Sequence, residues 1–364
     1  MYSRNPTRSL FRPKPSAVFV AFALLATANP PVAHAQSWPG GVIHFDTVPA
    51  PSLRKNLLGD PDRRAVSIYT PPGYTKNSRG RYPVVYLLHG FAADHRAFIA
   101  GVYTGMNTRM SMDSLINAGL IKPMIVVTPN ARNAFDGSFY TNSVTTGNWE
   151  DFIVKDLVSY VDSHYRTIRS RTGRGLAGHS MGGFGTLRVG MKHPDVFSAM
   201  YALSPCCLGQ EHRTGRNYVA SWKKVLSLTE FSQIKSAGFL PDINLALSAV
   251  YAPDPQNGPF FVDLPFRIQG DTLAPVEPVV SRWHPTPIEM VPDYSRNLKR
   301  MSIAFDAGIE DGLTDIPRNV AKLDSALTAL GIAHKAEAYH GDHMRGIRGR
   351  LESQAFPFFS RILH

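Results

Sequence analysis

Short, continuously apolar runs alternate with stretches of helical period along most of this 364-residue chain. Tyr82–Leu88 and Met124–Thr128 are apolar nearly throughout, the pattern of strands covered on both faces. Gly41–Val48 and Ala65–Thr70 read as two earlier strands, the second followed by the turn Pro71-Pro72-Gly73-Tyr74. Arg174–Ala177, Phe197–Leu203 and Met301–Phe305 repeat the strand pattern, and His334–Tyr339 alternates. Helical spacing predicts Arg109–Ala118, closed by Gly119, and a helix opening at Asn148, with Asn148 as N-cap and Asp151 three residues on. That helix carries Ile153, Leu157, Tyr160, Val161 and His164 along one side, His164 as a partly exposed helix-end residue rather than a catalyst. Phe184–Met191 is a further helix. Pro317–Leu330 is another, with Val320, Leu323, Leu327 and Leu330 on one stripe and Gly331 closing it. Gly349–Leu363 is a terminal helix. About eight strands, mostly alternating with helices, predict an α/β fold: a largely parallel sheet with helices on both faces.

Residues 207–295 break this rhythm. They are rich in Pro, Gly and Asp, as in Ala252–Pro259, and are expected to form an insertion capping the crevice at the carboxyl edge of the sheet. Trp222, Phe231, Phe239, Tyr251, Phe260, Phe261, Phe266 and Trp283 either line a pocket there or form the insertion's own small core, the expected fate of most of them.

The first 35 residues read as a leader rather than as part of the fold. Arg4, Arg8, Arg12 and Lys14 precede an apolar run over Ala17–Ala26, and Ala33-His34-Ala35 fits a cleavage site after Ala35. The run is far short of the ~20 residues that span a bilayer, and no Arg-Arg pair precedes it. The expectation is a secreted or periplasmic protein starting near Gln36, with no stable membrane anchor and one catalytic domain over 36–364. The formal charge is +11, and the leader holds four Lys/Arg and no Asp/Glu, leaving +7. The densest basic run, Arg166, Arg169, Arg171 and Arg174, lacks interleaved aromatics. It is expected to be a solvated loop, and no nucleic-acid partner is expected. The two cysteines, Cys206 and Cys207, are neighbours, so no disulfide framework exists. They read as small buried hydrophobes at a strand end, with a strained vicinal disulfide as the alternative.

Chemistry concentrates at Gly178-His179-Ser180-Met181-Gly182-Gly183, between a predicted strand and a predicted helix. Strand, sharp turn, helix is the setting in which G-x-S-x-G lifts a serine hydroxyl clear of a sheet, and small flanking residues make room for the turn. The helix N-terminus behind Ser180 favours negative charge. A serine hydroxyl needs a base to take its proton, and the base needs a carboxylate to hold its tautomer. The loop after Met301–Phe305 offers Asp306, Glu310 and Asp311. The loop after His334–Tyr339 offers His340 and His343. His343 lies beyond the strand end, within swing of the serine. Asp311 is the favoured acid, Glu310 is the other contender, and Asp306 is expected to anchor the loop. Two backbone donors are expected to face the oxyanion: Met181 N–H, and Phe91 N–H after His89-Gly90. The loop Asp136–Ser143 should face the same crevice. No metal or cofactor is expected.

These residues resemble the esterase D-type branch of the α/β-hydrolases, which includes S-formylglutathione hydrolases, feruloyl and siderophore esterases and mycolyltransferases. The resemblance is carried by Leu87-Leu88-His89-Gly90, Gly137-Ser138-Phe139-Tyr140, Gly178-His179-Ser180-Met181-Gly182-Gly183, Gly308-Ile309-Glu310-Asp311 and Gly341-Asp342-His343. It covers roughly 65–205 and 298–362. It implies an α/β-hydrolase fold, a Ser180–His343–Asp311 triad, Phe91 and Met181 as the oxyanion hole, and no cofactor. The activity expected is an exported serine carboxylesterase acting on a small-molecule or polysaccharide-linked ester, with aryl or hydroxycinnamoyl esters in view. An acyltransferase of the mycolyltransferase type and a catalytically inactive binding protein on the same scaffold are the alternatives.

Overall fold

The computed structural model describes residues 40–74, 79–209, 216–313 and 315–364; the predicted leader and its cleavage site lie outside the described residues. The apolar runs become one eight-stranded sheet: β1 Val42–Pro49, β2 Arg63–Thr70, β3 Val84–Leu88, β4 Ile125–Pro129, β5 Arg174–His179, β6 Ala199–Leu203, β7 Ser302–Gly308 and β8 Lys335–Tyr339. They lie in the order β1-β2-β4-β3-β5-β6-β7-β8. β1 and β2 pair antiparallel, as do β2 and β4; from β4 to β8 every pairing is parallel.

Alternate side chains of each strand point to opposite faces, and both faces of the inner strands are covered, while the edge strands β1 and β8 are largely exposed. Val84, Tyr86 and Leu88 join one core layer with Trp149, Phe152, Leu187 and Leu323. Val85 and Leu87 join the other with Phe98, Met112, Phe356 and Phe359. Thus the helix Thr108–Asn117 and the terminal helix pack on one face. The helices of Trp149–His164, Met181–Lys192 and Asp315–Ala329 pack on the other. No helix of the described residues is long and apolar enough to cross a membrane.

Local chemistry departs from expectation in several places. Asn148 makes no side-chain cap bond, because it is held in a two-residue antiparallel ladder opposite Asn142. Asn142 takes over: its Oδ1 accepts the Asp151 N–H at 3.0 Å and its Nδ2 donates to Asp151 Oδ1 at 3.2 Å. The helix that follows winds through a π-helical stretch, Phe152–Leu157. Leu330 does not complete its stripe: the helix ends at Ala329, Gly331 turns the chain at φ 59°, and Leu330 is left partly exposed. The arginine run is solvated at Arg169 but pinned at the other three positions. Arg174 is buried against Asp162, Arg166 lies over the rings of Tyr74 and Tyr82, and Arg171 donates to the carbonyls of Pro194 and Arg300. The aromatics missing from the run itself come from elsewhere in the chain, and the guanidinium fork suits several acceptors at once.

Between β6 and β7 the irregular segment forms helices Arg216–Leu226 and Phe239–Tyr251 and a hairpin of Phe266–Gln269 with Thr272–Pro275. Its aromatics pack mainly on one another. Trp222 meets Phe266 and Trp283 edge-on, Tyr251 stacks on Trp283, and Phe231 lies between Phe135 and Phe260.

Two buried polar centres brace the sheet. Asp306 lies within β7 rather than in the loop after it. Its carboxylate accepts from Tyr201 Oη at 2.7 Å and Arg350 Nε at 2.8 Å, and Arg350 also pairs with Glu337. His89, at the end of β3, is fully buried; its Nδ1–H donates to the Gly90 carbonyl and its Nε2 accepts the Ala131 N–H, tying the loops after β3 and β4.

Removing the arginine by Arg350→Met strands a buried carboxylate, so we expect a loss of about 3–5 kcal/mol in urea unfolding; a loss under ~1 kcal/mol would show that Asp306 does not depend on it. Burial lowers the His89 pKa from the ordinary imidazole value to about 4. Between pH 6.5 and 4 the unfolded chain therefore binds a proton that the folded chain refuses, and stability falls as pH falls through that window, by a few kcal/mol. Urea midpoints at pH 7 and pH 4.5 should converge in His89→Asn relative to the parent; an undiminished acid loss would assign the effect elsewhere.

Candidate active site

β5 ends at His179, and the helix Met181–Lys192 starts two residues later. Ser180, between them, is at φ 57°, ψ −116°, a conformation unusual for a side-chain-bearing residue. Its N–H donates to Leu203 O at 3.0 Å, and its carbonyl accepts from Phe184 N–H and Cys206 N–H. The turn closes only because its flanks lack side chains. A Cβ at Gly178 would stand 2.2 Å from Gly182 O, and one at Gly182 would stand 2.1 Å from Leu88 O.

Asp311 and His343 occupy the loops after β7 and β8. Ser180 Oγ is 2.9 Å from His343 Nε2, and His343 Nδ1 is 2.8 Å from Asp311 Oδ2. The Asp311 carboxylate is fully buried, and its Oδ1 accepts the Leu313 N–H. An ionised carboxylate only accepts, so His343 Nδ1 carries its proton and Nε2 is left to accept from the Ser180 hydroxyl. The two loops are bonded to each other: Ile309 N–H to Tyr339 O at 2.9 Å, Glu310 N–H to Gly341 O at 3.1 Å, and Gly341 N–H to Glu310 Oε2. A Cβ at Gly308 would stand 2.1 Å from Gly341 O. Glu310 and His340, the competing acid and base, pair with each other at 2.9 Å on the solvent side, where the His340 side chain is 89% exposed.

Phe91 follows β3 and lines the same cavity as Ser180; among the described residues its N–H makes no hydrogen bond. Met181 opens its helix, where N–H groups lack intrahelical partners. The loop Asp136–Ser143 supports this corner from behind: a Cβ at Gly137 would stand 2.4 Å from the Phe91 ring and 2.6 Å from Met181 Sδ. Tyr140 Oη donates to His89 O at 2.9 Å. The cavity itself is narrow, about 30 Å³, and mostly apolar, walled by Phe91, Cys206, Cys207, Phe239, Ile243 and Leu313. Cys206 and Cys207 are buried free thiols with their sulfurs 3.1 Å apart, and the hydrogen bond that Cys207 donates to Cys206, together with burial, pushes the Cys207 pKa well above the ordinary thiol value. Of the aromatics in the 207–295 segment named above, Phe239 reaches this wall, and it remains 51% exposed. Among the described residues no three His, Cys, Asp or Glu side chains group as metal ligands.

Two contacts at this site had no sequence expectation behind them. His179 Nε2 lies 2.7 Å from the main-chain oxygen of His343, and Tyr103 Oη lies 2.9 Å from His179 Nδ1. The histidine stands inside the G-H-S-M-G-G element, but its partner comes from a loop 76 residues earlier, and no local pattern marks that tyrosine.

Comparison with known proteins places the chain. The family model Esterase, described as "Putative esterase", matches residues 61–347. The chain is 33% identical over 138 residues to an esterase of Mycobacterium tuberculosis, an alignment covering 37% of this chain and 27% of that protein. It is 32% identical over 147 residues to an endo-1,4-beta-xylanase/feruloyl esterase of Xylanibacter ruminicola, covering 39% of this chain and 19% of the relative. The chain thus spans about a quarter or less of the length of these relatives. A solved ferulic acid esterase superposes with a TM-score of 0.61 at 22% identity, covering 89% of this chain and 99% of the other. The family match runs through most of the chain and the sheet is that of the solved esterases: the chain belongs to the Esterase family and has the α/β-hydrolase fold.

Proposed function

We propose that this protein is a carboxylic-ester hydrolase working through an acyl-enzyme on Ser180. The observation that carries the reading is the unbroken hydrogen-bond run from Ser180 Oγ through the His343 ring to the buried Asp311 carboxylate. In this reading His343 Nε2 takes the hydroxyl proton as Ser180 Oγ attacks the ester carbonyl. Asp311 holds the His343 tautomer and favours the imidazolium that forms. The oxyanion meets the N–H groups of Met181 and Phe91, each such donor being typically worth ~3 kcal/mol in the transition state. His343 then protonates the leaving alcohol. Water, deprotonated in turn by His343, attacks the acyl-enzyme and releases the acid.

The apolar wall beside Ser180 suits the acyl part. The cavity is small, about 30 Å³, which favours a short acyl group in this reading. The names of the relatives, feruloyl esterase among them, support aryl esters, small or attached to polysaccharide, as the class to try. Export from the cytoplasm, resting on the first 35 residues, belongs to the same proposal.

The test is hydrolysis of p-nitrophenyl esters from acetate to palmitate, with methyl ferulate alongside, by the protein from Gln36 onward and by Ser180→Ala. We expect turnover of the short esters and a loss of at least ~10⁴-fold in kcat in the variant. Activity that survives Ser180→Ala would remove the serine from the mechanism. Turnover of methyl ferulate at rates comparable to the acetate would support the aryl assignment, and its absence would confine the enzyme to other acyl groups.

A further inference from the structure

We propose that Tyr103 and His179 are positioning residues that set where His343 stands against Ser180, through the chain Tyr103 O–H to His179 Nδ1 and His179 Nε2–H to the His343 carbonyl. The inference rests on the proposed ester-hydrolase reading of Ser180 and His343. It follows from donor and acceptor bookkeeping. A carbonyl only accepts, so at 2.7 Å from the His343 oxygen the Nε2 of His179 must carry a hydrogen. A neutral imidazole then presents a lone pair at Nδ1, and the Tyr103 hydroxyl 2.9 Å away must donate to it. One arrangement of protons satisfies all three groups.

Burial makes that arrangement stable. The His179 ring is fully buried, and desolvation, with His343 beside it, holds its pKa well below the usual imidazole range. Neutrality matters there. The two rings are 4.8 Å apart between centroids, and a charged His179 would oppose the imidazolium that His343 must become. Tyr103 is itself placed by edge-on contacts with Phe98 and with the His179 ring. Gly90 leaves the space its hydroxyl occupies: a Cβ there would stand 1.9 Å from Tyr103 Oη and 3.3 Å from Ser180 Cβ.

The need for this chain comes from how the loops are tied. Asp311 and His343 are bonded loop to loop, so acid and base hold station relative to each other. His179 adjoins Ser180 on β5, and its bond to the His343 carbonyl ties that pair to the serine's own strand. Without it, the separation of Ser180 Oγ from His343 Nε2 is set only by the pairing of the strands behind the loops and by the reacting hydrogen bond itself.

The experiment compares Tyr103→Phe, His179→Gln and His179→Leu in the protein from Gln36 onward. It measures p-nitrophenyl acetate kinetics, thermal midpoint and the low-field proton resonance of His343 Nδ1–H. Tyr103→Phe should lower kcat about tenfold, the rate equivalent of one hydrogen bond, with KM within about twofold and the midpoint unchanged. His179→Gln, whose amide can still donate to the carbonyl, should retain more activity than His179→Leu. The His343 resonance should shift or broaden in Tyr103→Phe and His179→Leu. Unchanged kcat and resonance in both would overturn the proposal. So would a kcat loss that merely follows a lowered midpoint with Gln no better than Leu. If the parent protein hydrolyses no ester at all, the ester-hydrolase reading fails by itself, and the resonance alone decides whether Tyr103 and His179 place His343.

Discussion

The structure depends on one strained residue being held still. Ser180 has positive φ, a state costing on the order of 1–3 kcal/mol for a residue with a side chain, and it persists because its surroundings over-determine it. Its N–H and carbonyl are bound to Leu203, Phe184 and Cys206, and the backbones of Gly178, Gly182 and Leu88 meet too closely for any Cβ. β3, β5 and β6 are therefore pressed together at their carboxyl ends, and the loops leaving those strands converge on one point. The loops carrying Asp311 and His343 arrive from the next two strands of the same sheet.

Burial sorts the charged groups of this edge into different tasks. Asp306 and Asp311 lie five positions apart in the chain, yet one is inside β7 and the other beyond it. Asp306 is held by Tyr201 and Arg350 and braces β7 against the terminal helix. Asp311 faces the His343 ring. Glu310, between them in the chain, points outward and clips the two loops together from the solvent side. Three carboxylates close together in the chain thus meet three environments, and only Asp311 meets the His343 ring.

The inner strands β3 to β7 were legible in the sequence because they are covered on both faces and read as short, mostly apolar runs whatever covers them, whereas the edge strands β1 and β8 are largely exposed. The meeting of Ser180, His343 and Asp311 was legible for a related reason: each lies just past the carboxyl end of a parallel strand, and such ends share an edge. What could not be read depends on partners distant in sequence. The cap at Asp151 is made by Asn142 rather than Asn148 because a two-residue ladder occupies the nearer residue. Arg166 finds its aromatic partners in Tyr74 and Tyr82, which the run around it does not contain. Tyr103 reaches His179 from a loop with no periodicity of its own.

The segment between β6 and β7 has a property that bears on access to the cavity. Trp222, Leu245 and Trp283 belong to the same core layer as the strands beneath them. Lifting the segment as a hinged flap would uncover that layer, at a cost of roughly 25 cal/mol for each Å² exposed. The Phe239 ring is 51% exposed and meets the buried Phe91 ring edge-on at the cavity wall. A flap movement is thus opposed by the burial that holds the segment down, and the wall it gives the cavity is part of the protein's core rather than a cover laid over it.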